Sequence, residues 1–151
     1  MITLAVTTKE KKEVVDITDR VVSEIQKAGF ATGLCHLFLT HTTAALTTAD
    51  LDPGTDLDML NAFEAMIPKH ANSAPSPDGS GNANAPMRIK YRHPHNPAHV
   101  PDHILSSLIG TSLLLPVRGG NLVLGDWQRV VLIEFDGPRE REVRISWVAG
   151  A

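Results

Sequence analysis

The sequence is short of several things that mark common protein classes. Its 151 residues contain one cysteine, Cys35, so no disulfide can form within the chain. That fits a reducing compartment and predicts a cytoplasmic protein. No stretch approaches the roughly 18 apolar residues of a membrane span. The opening residues, MITLAVTTKEKKEVVDIT, lack the long apolar core of a signal peptide. Basic residues are not in excess: the net charge is −3, which gives no electrostatic reason to expect nucleic acid or an acidic membrane as partner. Glycine-rich phosphate loops, dinucleotide fingerprints and internal repeats are also missing.

What is present is an ordinary globular balance, 42% hydrophobic and 21% charged residues, in a chain long enough for one core. Residues 2–7 and 12–17 read as strands around the charged turn KEKK. Ile17, Val21, Ile25 and Ala28 then recur at helical spacing, with Asp16 or Thr18 to cap the helix and Gly29 to end it. Residues 33–40 read as a buried strand ending at His41. Asp52-Pro53 predicts the start of a second helix, with Leu57, Leu60, Phe63 and Ile67 as its apolar stripe and Pro68 beyond its end.

Residues 71–86 carry almost no large apolar groups, which predicts a mobile internal loop. A short helix is expected over 101–109. Strands are expected over 113–117, 122–124, 129–135 and 142–148, the last two joined by a hairpin turn at Asp136-Gly137-Pro138-Arg139. Many strands and two or three helices in irregular order indicate a single α+β domain with a mainly antiparallel sheet.

The densest chemical signal runs from Tyr91 to His103. Four of the seven histidines, His93, His95, His99 and His103, fall within it. Imidazole suits zinc and other transition metals, and the prolines stiffen the segment. A surface loop that merely contains histidines is the competing reading. Pro101 disfavours a continuous helix through His99 and His103, so this is not the zinc-protease pattern. Instead, His103 would sit in the first turn of the short helix.

Other candidates are weaker. His41 is either a core histidine bonded to backbone or a site residue at a strand end. His36 is expected to be a core histidine, and Cys35 inert packing. Asp50, Asp52, Asp56 and Asp58 surround a helix start, where acids are favoured by the helix dipole. Glu134 interrupts an apolar run, where an acid either faces solvent at the sheet surface or enters a site; the site is the favoured reading. Arg139, Arg141 and Arg144 follow a tight turn and fit either an anion or a solvated surface.

Taken in order, the segments HTTAALT (41–47), Asp52-Pro53 with Asp58, His93, HILSSLIG (103–110), GDWQ (125–128) and EFDGPR (134–139) resemble the YjbQ family. The resemblance runs from about Val14 to Val148. Two departures occur: Asp50-Leu51 stands where Glu-Asn is more usual, and the loop at 71–86 is longer.

The resemblance implies a compact α+β homotrimer and a site of three histidines, His41, His93 and His103, holding a divalent metal. His95 and His99 would support them. It also implies the family's label, thiamine-phosphate synthase. Departure of diphosphate is usually assisted by Mg²⁺ on oxygen ligands, whereas three imidazoles suit zinc or another transition metal. The broader expectation is therefore metal-assisted chemistry on a small phosphorylated or anionic metabolite. Asp52, Asp58 or Glu134 would serve as base, and Thr42, Thr43 and Arg139 would hold the substrate. The alternative is a non-catalytic metal- or ligand-binding homotrimer.

Overall fold

The computed structural model describes residues 1–69 and 91–149. The expected loop at 71–86 lies outside them. The fold is α+β, with eight strands, three α-helices and one 3₁₀ turn among the described residues. The strands are β1 (Ile2–Thr7), β2 (Glu13–Asp16), β3 (Thr32–Leu39), β4 (Ala44–Ala49), β5 (Ser112–Arg118), β6 (Asn121–Leu122), β7 (Arg129–Glu134) and β8 (Glu140–Ala149). The helices are α1 (Thr18–Lys27), α2 (Thr55–Met66) and α3 (Val100–Ile109), the last preceded by the 3₁₀ turn Pro97–His99.

All strand pairs are antiparallel. They form a five-stranded sheet in the order β1-β8-β3-β5-β6 and a three-stranded sheet in the order β2-β7-β4. The main core lies between the sheets. Val6, Cys35, Leu37, Leu39, Val143 and Ile145 of the large sheet meet Leu46, Val130 and Leu132 of the small one, with Val21 and Ile25 of α1 closing one side.

A second core covers the outer face of the small sheet. There Val131, Ile133 and Phe135 pack against Leu105 of α3, Leu60 and Phe63 of α2, and Ile67 just beyond its end. Strand β7 is thus buried on both faces, which is why its sequence is continuously apolar instead of alternating. Cys35 is fully buried, and desolvation pushes its thiol up to about 11, so it remains inert packing.

Several local expectations need correction. Segment 44–49 forms β4, a strand the sequence reading missed. Helix α2 begins at Thr55, because Asp50 Oδ1 accepts the Asp52 N–H and Gly54 turns the chain at φ 95°. Leu57 is exposed, while Met59 joins the packed stripe. His36 is half-buried and bonds the Ser112 hydroxyl at 2.7 Å instead of lying in the core.

Residues 136–139 do not close a hairpin. β7 belongs to the small sheet and β8 to the large one, so this turn is a corner that carries the chain between sheets. Gly137 is needed there. A Cβ at this position would collide with the Glu10 carbonyl oxygen and come within 2.8 Å of the Glu134 side chain.

Candidate functional site

Two crossings between the sheets lie together. One is the β3–β4 turn through His41, Thr42 and Thr43; the other is the β7–β8 corner. The Phe135 N–H donates to the Thr43 carbonyl at 3.2 Å. The side chains of Glu134 and Arg141 both follow the inward phase of their strands and meet between the sheets.

Arg141 Nε donates to Glu134 Oε2 at 2.7 Å, and its Nη2 donates to Oε1 at 2.5 Å. Thr8 Oγ1 and the Asp136 N–H complete the carboxylate's shell at 3.1 and 2.8 Å. Arg141 Nη2 also donates to Thr43 Oγ1 at 2.9 Å. One buried ion pair therefore ties the corner to the His41–Thr43 turn.

This turn fixes two histidines. The Glu142 N–H donates to His41 Nε2 at 3.0 Å. A nitrogen that accepts from an amide is unprotonated, so the neutral His41 ring carries its hydrogen on Nδ1. Burial, aided by the nearby Arg141 guanidinium, holds the His41 pKa below its usual value and favours that neutral form.

Pro97 opens the 3₁₀ turn and Pro101 lies in the first turn of α3, positions where a missing backbone N–H costs no helical hydrogen bond. The helix packs on β4 through Ser106, whose hydroxyl donates to the Ala44 carbonyl at 2.6 Å. This docking sets His103 against the β3–β4 turn, where its Nδ1 lies 2.9 Å from the Thr42 carbonyl oxygen. A carbonyl only accepts, so His103 Nδ1 is the donor and the free Nε2 keeps its lone pair.

His93 stacks on His103, with ring centroids 5.6 Å apart and planes 10° from parallel. His93 Nδ1 accepts the Asn96 N–H at 3.2 Å, which places its own hydrogen on Nε2. His95 is exposed and meets His93 edge-on at 6.0 Å. His99 faces Asp136, with Nε2 to Oδ1 at 3.9 Å.

The three expected metal ligands thus form a contiguous group through Thr42. As placed, they do not fit a shared metal ion. Two of the three imidazole lone pairs are committed to backbone amides, and only His103 Nε2 is free. Among the described residues, no three His, Cys, Asp or Glu side chains are grouped to hold an ion.

Beside this group is an open cleft of about 540 Å³, lined by His41, Thr42, Ser107 and Thr111 together with Phe38 and Leu39. The other expected site residues lie elsewhere or face away. Thr43 turns inward to Arg141. All acceptor positions of Glu134 are filled, so it serves the ion pair rather than proton transfer. Asp52 lines a separate cleft with Asp50, Asp126, Trp127 and Arg129. Asp58 is exposed in the first turn of α2.

Arg139 is bound to Asp136 through Nε to the carbonyl and Nη2 to Oδ2, at 2.7 and 2.8 Å. Burial alone would raise the Asp136 pKa, but Arg139, with His99 and Lys69 nearby, brings it below the ordinary carboxylate value.

Sequence reasoning missed the Lys69–Asp102 pair. Asp102 is fully buried and accepts from Lys69 Nζ at 3.1 Å. Burial raises its pKa despite that partner. Pairing residues on opposite sides of the 70–90 segment has no local signature in the sequence. Arg141 was seen only as one of three arginines after a turn. Its period-two phase with Val143 and Ile145 is the signal that could have placed it inside.

A profile of UPF0047 YjbQ-like proteins matches residues 2–150. A UPF0047 protein of Archaeoglobus fulgidus is 32% identical over 143 residues, covering 95% of this chain and 97% of its own. The protein YjbQ of Salmonella typhimurium is 37% identical over 130 residues, covering 82% and 81%. Among solved structures, a YjbQ/UPF0047 protein of Clostridium acetobutylicum superposes with a TM-score of 0.80 at 28% identity, covering 98% of this chain and all of that one. A conserved hypothetical protein of Thermus thermophilus gives 0.74 at 33%, with 98% and 100% covered.

The ion pair makes a direct prediction. Arg141→Met leaves Glu134 buried without its cation and should cost about 3–5 kcal/mol of stability in urea unfolding. Adding Glu134→Gln should recover part of that loss. Strictly additive losses would show that the two side chains do not act as a pair.

Proposed function

The chain belongs to the UPF0047 YjbQ-like family, and we propose that it is an enzyme acting on a small phosphorylated or otherwise anionic metabolite by proton transfer at His103. The observation that carries this reading is the bond between His103 Nδ1 and the Thr42 carbonyl, which leaves the Nε2 lone pair free; Thr42 and Ser107, the two residues His103 is bonded to, both line the cleft. A general base needs a free lone pair in a ring whose orientation is set by a second hydrogen bond, and His103 has both. Thr42 supplies that bond from its backbone, while its side chain and the hydroxyls of Ser107 and Thr111 are placed to meet a polar ligand.

The family's label makes thiamine-phosphate synthesis one candidate reaction, and complementation of a thiamine-requiring strain tests it. A metal-loaded form would first require His41 and His93 to leave their backbone partners; zinc would then add Lewis acidity.

The assembly proposed is the homotrimer. Its support is an apolar strip on the outer face of the large sheet. Leu34 and Phe38 of β3, Leu114 of β5 and Val148 of β8 are each between 39% and 63% exposed. A second copy could cover that strip. Light scattering should give the mass of three chains; a monomer contradicts the assembly.

For the enzyme, the test is a screen of small phosphorylated and carboxylated metabolites for binding and turnover. With the molecule found, His103→Ala should lower kcat by about 10²–10⁴-fold, the usual contribution of a general base, with binding largely kept. An unchanged kcat would remove His103 from the chemistry.

A further inference from the structure

The open cleft beside the histidines has a chemical character of its own. Thr40, Thr42, Ser107 and Thr111 line it with hydroxyls, and Phe38 gives it an apolar wall. None of its described lining residues is Lys, Arg, Asp or Glu. The one ionisable ring there, His41, accepts the Glu142 N–H at Nε2 and carries no charge as placed. The closing turn of α3 also borders the cleft, through Ser106, Ser107 and the C-cap Gly110, and that turn holds no basic residue. A helix C-terminus is the negative end of the helix dipole. A phosphate or carboxylate is usually met by Arg, Lys or a helix N-terminus. This cleft offers it none of the three.

Resting on the reading that the metabolite is phosphorylated or otherwise anionic, we infer that this cleft holds its uncharged, hydroxyl-bearing ring, of the kind found in a sugar, and leaves the anionic group outside. A hydroxyl both donates and accepts, so a wall of hydroxyls matches a ring that carries them. The Thr42 and Thr111 hydroxyls are unpartnered among the described residues and can donate to ring oxygens. The Thr40 and Ser107 hydroxyls donate to the Glu142 and His103 carbonyls at 3.4 and 2.9 Å, which leaves their oxygens to accept. Phe38 is 43% exposed, near the end of β3 that leads to His41, and can pack against the C–H face of such a ring.

The floor of the cleft is held before any ligand arrives. The Gly110 and Thr111 carbonyls accept the Leu46 and Leu39 N–H groups at 2.9 and 2.8 Å, which pins the end of α3 to β4 and β3. A volume of about 540 Å³ is within the range of roughly 300–1,000 Å³ for small-molecule clefts.

The probes that test this are ribose and glucose, ribose 5-phosphate and glucose 6-phosphate, and inorganic phosphate. Each is titrated into the full chain at about pH 8, above the ordinary imidazole pKa, and the Gly110 and Thr111 amide signals are followed by NMR. At least one sugar and its phosphate should shift both signals alike, while inorganic phosphate leaves them in place. Thr42→Val and Thr111→Val remove a hydroxyl with little change of shape. Each should weaken binding of that sugar phosphate by about 2–10-fold, the usual worth of one hydrogen bond. Thr111→Ser, which keeps the hydroxyl, should bind as the parent does.

Inorganic phosphate shifting Gly110 and Thr111 as the sugar phosphates do would overturn the inference, because the cleft would then hold the charge. So would the absence of any shift with all four sugar compounds, or full affinity in both valine variants. Free sugars that bind as tightly as their phosphates would leave the inference standing and remove the anionic reading beneath it.

Discussion

The buried bond between Glu134 and Arg141 is the constraint on which the candidate site depends. It lies where the chain twice changes sheets, and these crossings have little ladder hydrogen bonding of their own. A buried ion pair is not a cheap way to stabilise a fold, because desolvation offsets much of the attraction between the charges. Here its guanidinium also reaches Thr43, and its carboxylate also holds Thr8 and the Asp136 amide. A pair of apolar side chains could fill the same space but could not fix the direction of the β3–β4 turn. That direction determines where the Thr42 carbonyl points, and therefore which nitrogen of His103 is protonated.

The site combines rigid and accessible parts. Strands β3, β4, β7 and β8 and helix α3 are anchored in two cores that share β7. The histidines stand just outside those cores, on the turn between strands and at the start of the helix. Backbone groups, not other side chains, set the protonation pattern of all three. Such partners cannot rotate away individually, so the arrangement of donors and acceptor is as firm as the surrounding fold.

Much of the fold was legible because local pattern and burial agree. The helical spacing of Val21 and Ile25, the stop at Gly29 and the period-two burial of β8 all have local causes. β7 was legible as a strand from its apolar run, although only the structure shows that both faces are covered. The corner at 136–139 was misread because the same turn residues serve a hairpin and a sheet crossing. Which one forms depends on whether β7 pairs with β8 or with β2 and β4, a choice made by distant residues. β4 escaped notice because AALTTA is short and rich in small residues, and its burial comes from α3 and β7.

The site was legible in part for the same reason. The resemblance singled out His41, His93 and His103, and the structure brings them into one contiguous group. Their chemistry was hidden because it is set by the Glu142 amide, 101 residues from His41, and by the Thr42 carbonyl, 61 residues from His103. Glu134 drew attention as an acid in an apolar run. Its partner could not be identified until Arg141 was seen facing it across the corner.

The most direct test of this account is the tautomer of His103 in a folded Arg141→Met, Glu134→Gln variant, read from its ring nitrogens by NMR. If the buried pair orients the Thr42 carbonyl, the variant should keep its secondary structure but show His103 as a mixture of Nδ1–H and Nε2–H forms. A single Nδ1–H form, unchanged from the parent protein, would contradict the dependence of the site on that ion pair.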